Sequence, residues 1–273
     1  MSSRTLTVNG QTIAIRESSG AGRAAILVHG NSSSGRTFEH QLESSLGQTY
    51  RLVALDLPGH GDSEPAHDPQ VVYSLPGYAA IVRGVAEQLG LTDAVFVGWS
   101  LGGHIVLEAS AGLPQAAGFA IYGTPPLAFP PDMAAAFRPH PAMAASFAAE
   151  LTEEQMDAYV TAFFMPGVSA LPAGFREDIR RTDGRARAGL GASIRPDGYL
   201  DEVQIVAALK KPLAILHGEH EQLVSLPYLQ GVAAPTLWRG AVQLIADSGH
   251  APHWEQPAAF NALLEAFIKD CSV

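Results

Sequence analysis

The sequence predicts an α/β fold: a mostly parallel central sheet flanked by helices and interrupted once by a helical insertion. Three observations predict it. Apolar runs of strand length recur along the chain, helical patterns separate most of them, and the alternation then stops between Gly123 and Lys210 before it resumes.

The elements follow in order. "RTLTVNGQTIAIRES" reads as two alternating strands around an Asn9-Gly10 turn, a dipeptide suited to the positive φ angles of a tight hairpin. Four buried-strand candidates follow: "AAILVHG" (24–30), "YRLVALD" (50–56), "AVFVGW" (94–99) and "AGFAIYG" (117–123). Helical spacing marks "LPGYAAIVRGVAEQLG" (75–90) and the run after Ser100, which carries Ile105, Leu107 and Ala109. Beyond the insertion lie two more strands, "KPLAILHG" (211–218) and "AVQLIADSG" (241–249), and "EQPAAFNALLEAFIKDC" closes the chain as an amphipathic helix. Near-continuous apolar strands alternating with helices belong to a parallel sheet covered on both faces.

The insertion is rich in Ala, Phe, Met and Pro, and has helix-start signals such as Thr152 with Gln155 three residues on. A structureless loop of that length does not suit a compact domain. The expectation is a core of residues 1–123 and 211–273 carrying a helical cap, 124–210, hinged at Pro125-Pro126.

Composition narrows the function classes. The chain has 273 residues, 47% hydrophobic and 16% charged, enough for a large core, and no repeat or low-complexity tract divides it. A net charge of −10, spread along the chain, argues against nucleic-acid or anionic-membrane partners and for a small neutral one. "MSSRTLTVNG" has no apolar signal core, and no apolar run reaches the roughly 18 residues of a membrane helix, so the expected location is cytoplasmic. The single cysteine, Cys271, cannot form an internal disulfide.

The chemistry centres on "VFVGWSLGGHIVLEAS". Gly98-Trp99-Ser100-Leu101-Gly102 fits G-x-S-x-G, in which a serine stands at a sharp strand-to-helix corner with its hydroxyl above the strand ends. The strand before it and the helix after it are what the motif requires. A serine hydroxyl needs a base, and the base an orienting acid. His250 in "ADSGHAPHWEQP" follows the last strand, where the order serine, acid, histidine puts the base; His253 is the rival. For the acid, "LHGEHEQLV" offers Glu221, with Glu219 as the fallback. Two N–H donors for an oxyanion are expected from Leu101, directly after the nucleophile, and from Asn31 in "HGNSSSG", with His29 bracing that turn. His217/His220 and His250/His253 resemble metal-ligand pairs, but no H-x-H-x-D-H cluster accompanies them, so neither metal nor other cofactor is expected.

These motifs resemble the α/β-hydrolase fold family, with "LVHGNSSSG", "LDLPGHGDS", "VGWSLGGH", "LHGEHEQLV" and "DSGHAPHWEQP" in the family's order from about Arg4 to the C-terminus. More narrowly, "HGNSSSG", "DLPGHGDS", "GWSLGGHI", "GTPP", "RTDGRAR" and "FIKDC" resemble the metal-independent N-acylhomoserine lactonases of that fold. The resemblance implies Ser100 as nucleophile, His250 as base, a glutamate acid at Glu221, an oxyanion asparagine at Asn31 and a lactone-contacting cap tyrosine at Tyr159. Trp99, Phe147, Phe163, Phe164 and Met165 are the further residues expected to enclose substrate. A carboxylesterase or carbon–carbon bond hydrolase would share every catalytic residue, and a hydrolase-like receptor would keep the scaffold with little turnover. An aspartate nucleophile, as in dehalogenases and epoxide hydrolases, is excluded by Ser100.

Overall fold

The apolar runs become strands, and their order in space puts the serine corner at the middle of a sheet. In the computed structural model, which describes residues 1–195 and 197–271, eight strands line up as β1-β2-β4-β3-β5-β6-β7-β8. They are β1 (Ser2–Val8), β2 (Gln11–Glu17), β3 (Gly22–Val28), β4 (Tyr50–Leu55), β5 (Val95–Trp99), β6 (Gly118–Tyr122), β7 (Leu213–Gly218) and β8 (Gln243–Ile245). The pairs β1–β2 and β2–β4 are antiparallel, and every pairing from β4 through β3 to β8 is parallel. Asn9 and Gly10 take φ of 50° and 78°, the conformation that lets a two-residue turn follow the twist of its strands.

Every residue of β5, β6 and β7 is buried. That is why these strands read as unbroken apolar runs and not as alternating ones. The longer α-helices are α1 (Leu75–Leu89), α2 (Leu101–Ala109), α3 (Glu153–Thr161), α4 (Ala173–Arg181), α5 (Gly184–Ser193), α6 (Glu202–Ala208) and α7 (Pro257–Asp270). Ser74 caps the start of α1, and Gly90, at φ 66°, ends it. At α3 the Thr152/Gln155 pair forms a reciprocal capping box, an arrangement whose loss costs about 1 kcal/mol.

The last strand is shorter than its apolar run. Pairing with β7 ends at Ile245 because the chain turns at Asp247, φ 52°, and the remainder of 241–249 forms the loop that delivers His250. Between β6 and β7 no described residue joins the main sheet; the segment is mainly helical, and its bridge of Phe137 to Val224 ties it to the loop after β7. No helix among the described residues is long and apolar enough to cross a membrane.

Two buried histidines near the turn after β3 contribute to the acid sensitivity of the fold. His29 accepts the N–H of Leu57 at 3.0 Å and so braces the turn after β3, and His60 packs 5.2 Å from it, ring to ring. Burial holds His29 down at about 4, and burial followed by the charge of His29 holds His60 at about 3. Unfolding frees both to take protons near pH 6.5, so the unfolded state binds more protons between there and the folded values. Stability is full above about pH 6.5 and is lost as pH falls toward 4, by about 2 kcal/mol per histidine at pH 5. Chemical denaturation at pH 7.5 and pH 5 is expected to show this drop; equal stability at both would contradict neutral burial.

Candidate active site

The corner after β5 is backbone geometry before it is chemistry. Ser100 sits at φ 54°, ψ −118°, a strained conformation for a residue with a side chain, and its own side chain does not cap α2. The flanking glycines allow it. A Cβ on Gly98 would strike the carbonyl oxygen of Gly102, and one on Gly102 would strike the carbonyl oxygen of Val28. The serine is therefore lifted, partly exposed, into a cavity whose wall also includes His250, Asn31, Leu101 and Tyr159.

His250 and Glu221 come together from loops after different strands. Nδ1 of His250 lies 2.7 Å from Oε2 of Glu221, and both side chains are almost wholly buried. The other carboxylate oxygen accepts the N–H of Leu223 at 2.7 Å. Burial by itself would raise the Glu221 carboxyl, but the His250 charge and its hydrogen bond outweigh that and hold it below the usual range. An ionised carboxylate accepts the Nδ1 proton, which leaves Nε2 free to accept one from a hydroxyl.

The competing assignments lie elsewhere. Glu219 is exposed. His253 is fully buried among Phe38, Trp99, Tyr122 and Phe260, with Nε2 2.7 Å from the Thr37 hydroxyl, and burial drives its pKa well down. It is a core histidine.

Leu101 opens α2, so its N–H has no carbonyl of its own helix to bond. Among the described residues the Asn31 N–H has no internal partner either, and both residues line the cavity. The side-chain amide of Asn31 donates to the carbonyl of Ser146 at 2.7 Å and fastens the helical segment to the turn.

Three residues expected to contact substrate do not line the cavity. Trp99 is wholly buried; its indole N–H donates to the carbonyl of His250 at 2.7 Å, which positions the histidine backbone. Phe164 and Met165 contribute main chain instead: the Phe164 carbonyl accepts from Gln222, and the Met165 N–H donates to Glu255, whose other oxygen takes the N–H of Gly249. With the Ala251 N–H bonded to the Phe163 carbonyl, this segment is laced to both loops that carry Glu221 and His250. Phe147 and Phe163 do line the cavity.

The cavity holds about 750 Å3 of space not filled by atoms, part of it open to solvent. Its walls are mainly apolar, and Leu127, Met133, Phe137, Met143, Leu190, Ile194, Tyr199 and Leu223 join the residues anticipated. Sequence reasoning missed them because alanine-rich helical pattern does not say which face turns inward. Burial raises the Tyr159 hydroxyl to about 12, so it stays protonated, with the Ser146 and Ser32 side chains beside it.

The "RTDGRAR" segment proves to be a clasp. Arg181 bonds the Gly61 carbonyl and Asp62, Asp183 accepts from the Tyr73 hydroxyl, and buried Arg187 holds the Ala148 and Ala149 carbonyls. The Arg181 bonds join the helical segment to the loop at 57–64, the Asp183 bond ties it to Tyr73 just before α1, and the Arg187 bonds hold the segment to itself. Among the described residues no group of three or more His, Cys, Asp or Glu side chains is arranged to hold a metal ion.

The fold and the serine corner define a class that comparison with known proteins makes definite: the alpha/beta hydrolase family model matches residues 25–263, and the chain belongs to that family. It is an esterase-like enzyme of this family. The chain closely resembles N-acyl homoserine lactonase AidH, solved in complex with N-butanoyl homoserine, which is 38% identical with a TM-score of 0.95 over 99% of this chain and 97% of its own. A pimeloyl-[acyl-carrier protein] methyl ester esterase from Stenotrophomonas maltophilia (strain R551-3) is 30% identical, covering 94% of this chain and 96% of its own length. An esterase from Rhodococcus sp. ECU1013, 23% identical with a TM-score of 0.79, shares the fold over 98% of this chain and 99% of its own.

Proposed function

We propose that the protein is a metal-independent serine hydrolase that opens the lactone ring of N-acylhomoserine lactones, a quorum-quenching reaction. The observation that carries this reading is the likeness to the lactonase AidH, 38% identical over 99% of the chain. It extends through the segment between β6 and β7, where the substrate cavity of this chain is built.

In this mechanism His250 takes the proton of Ser100, whose oxygen attacks the lactone carbonyl. The N–H groups of Leu101 and Asn31 stabilise the oxyanion, and Glu221 stabilises the imidazolium as it forms. His250 then protonates the ring oxygen, and the ring C–O bond breaks to give a seryl ester with a tethered alcohol. Water activated by His250 releases the product. The tethered hydroxyl can re-close the ring, and Tyr159, protonated and at the cavity wall, holds it aside. Residues 124–210 act as the cap, and Phe147 and Phe163 enclose the acyl chain with the other apolar wall residues.

The second reading, a carboxylesterase, is favoured by the methyl ester esterase relative at 30% identity. The two are separated by incubating purified protein with short- and long-chain N-acylhomoserine lactones, aryl esters and methyl esters, with and without chelator, and reading products by mass spectrometry. A gain of one water by the lactones, reversed by acid-promoted ring closure and insensitive to chelator, is the expected result. Turnover of esters alone would replace the lactonase reading with the esterase one. Binding of lactone without turnover would point to a receptor.

A further inference from the structure

One polar residue on the cavity wall has no part in the mechanism. Helix α2 is buried along its whole length except at His104, which faces the cavity four residues after Ser100, about 6 Å further along the axis. Its Nδ1 lies 2.9 Å from both carboxylate oxygens of Glu202, a side chain with no exposed surface that opens α6. Glu202 also accepts the Leu127 N–H at 2.7 Å, while its own N–H donates to the Leu127 carbonyl, so the pair anchors the strand of chain just past the Pro125-Pro126 hinge. Nδ1 is thus occupied, and Nε2 is the ring nitrogen left for the cavity.

Among the described residues no lysine or arginine pairs with Glu202. His104 therefore brings a ring nitrogen able to form a hydrogen bond to a wall otherwise formed there by Leu127, Met133, Ile194 and Tyr199.

We propose that His104 determines acyl specificity: its Nε2 forms a hydrogen bond with an amide group in the acyl part of the substrate, so that N-acylated acids are preferred to plain alkanoic acids of equal length. This deepens the hydrolase reading above and rests on it. An N-acyl lactone carries such an amide, its carbonyl carbon three bonds from the scissile carbon, within the span between Ser100 and His104.

The test compares matched substrates, phenyl esters of N-butanoylglycine and of heptanoic acid, and an N-acylhomoserine lactone against an α-alkyl-γ-butyrolactone of equal length. His104→Phe, which keeps a ring and removes its nitrogens, is expected to lower kcat/KM about tenfold or more for the amide-bearing member of each pair, mainly through KM. The plain member is expected to change less than about threefold. His104→Gln, which retains a hydrogen-bonding side chain, is expected to recover part of the preference. A parallel loss on both members, or no loss on the amide-bearing one, overturns the proposal while the hydrolase reading stands. If wild-type protein hydrolyses none of the four, the hydrolase reading itself has failed and this proposal with it. Thermal melting checks each variant, and His104→Leu replaces His104→Phe if the latter does not fold.

Discussion

Ser100→Ala is expected to lower kcat by about six orders of magnitude while leaving the fold in place. In the proposed mechanism the hydroxyl forms the covalent bond, and without it only donor and binding contributions remain. Stability is expected to shift by less than about 1 kcal/mol, because alanine keeps the Cβ already accommodated at φ 54° and Ser100 is only partly buried. His250→Ala should lose a comparable factor, and the double variant little more, since the two act as a unit. Steady-state kinetics beside a thermal melt checks both halves; residual activity within tenfold of wild type would move the nucleophile elsewhere.

The second large effect is expected at the acid. Glu221→Gln should reduce kcat by about four orders of magnitude. The carboxylate now accepts two protons, one from His250 Nδ1 and one from the Leu223 N–H, with both oxygens engaged. An amide has a single oxygen. If that oxygen stays with Leu223, the NH2 group faces Nδ1 and forces the ring into the tautomer with its proton on Nε2, where it cannot accept one from Ser100. Glu219→Gln is the control: that residue is exposed and is expected to change the rate less than about twofold. A greater loss at Glu219 would reassign the acid.

Most of the sheet was legible because burial on both faces writes itself as unbroken apolar runs. The strands at 22–28, 50–55, 95–99, 118–122 and 213–218 fall within the runs or a residue or two from their ends. The run at 241–249 over-extended, since its apolar residues also serve a loop whose turn at Asp247 sequence pattern does not reveal. The serine corner was legible for a steric reason: only glycine fits where Gly98 and Gly102 approach carbonyl oxygens, so the motif records the geometry directly.

The cavity wall was not legible in the same way. Phe163, Phe164 and Met165 are consecutive and alike in hydropathy, yet only Phe163 reaches the cavity, while the other two lend their backbones to Gln222 and Glu255. Trp99, next to Ser100 in sequence, turns beneath it and holds the His250 carbonyl. His104 shows no special signal in the helix, because its partner Glu202 lies 98 residues away.

By itself the sequence determined the fold class, the serine corner and the order in which a serine, a glutamate and a histidine follow the strands, since each depends on local sterics or on periodicity within one element. Only the tertiary structure decided which of two glutamates meets the histidine, which histidine is core, and which side chains face the cavity. Those are contacts between segments far apart in the chain, and their distances are set by how the whole sheet and its helical insertion pack together, which no local pattern encodes.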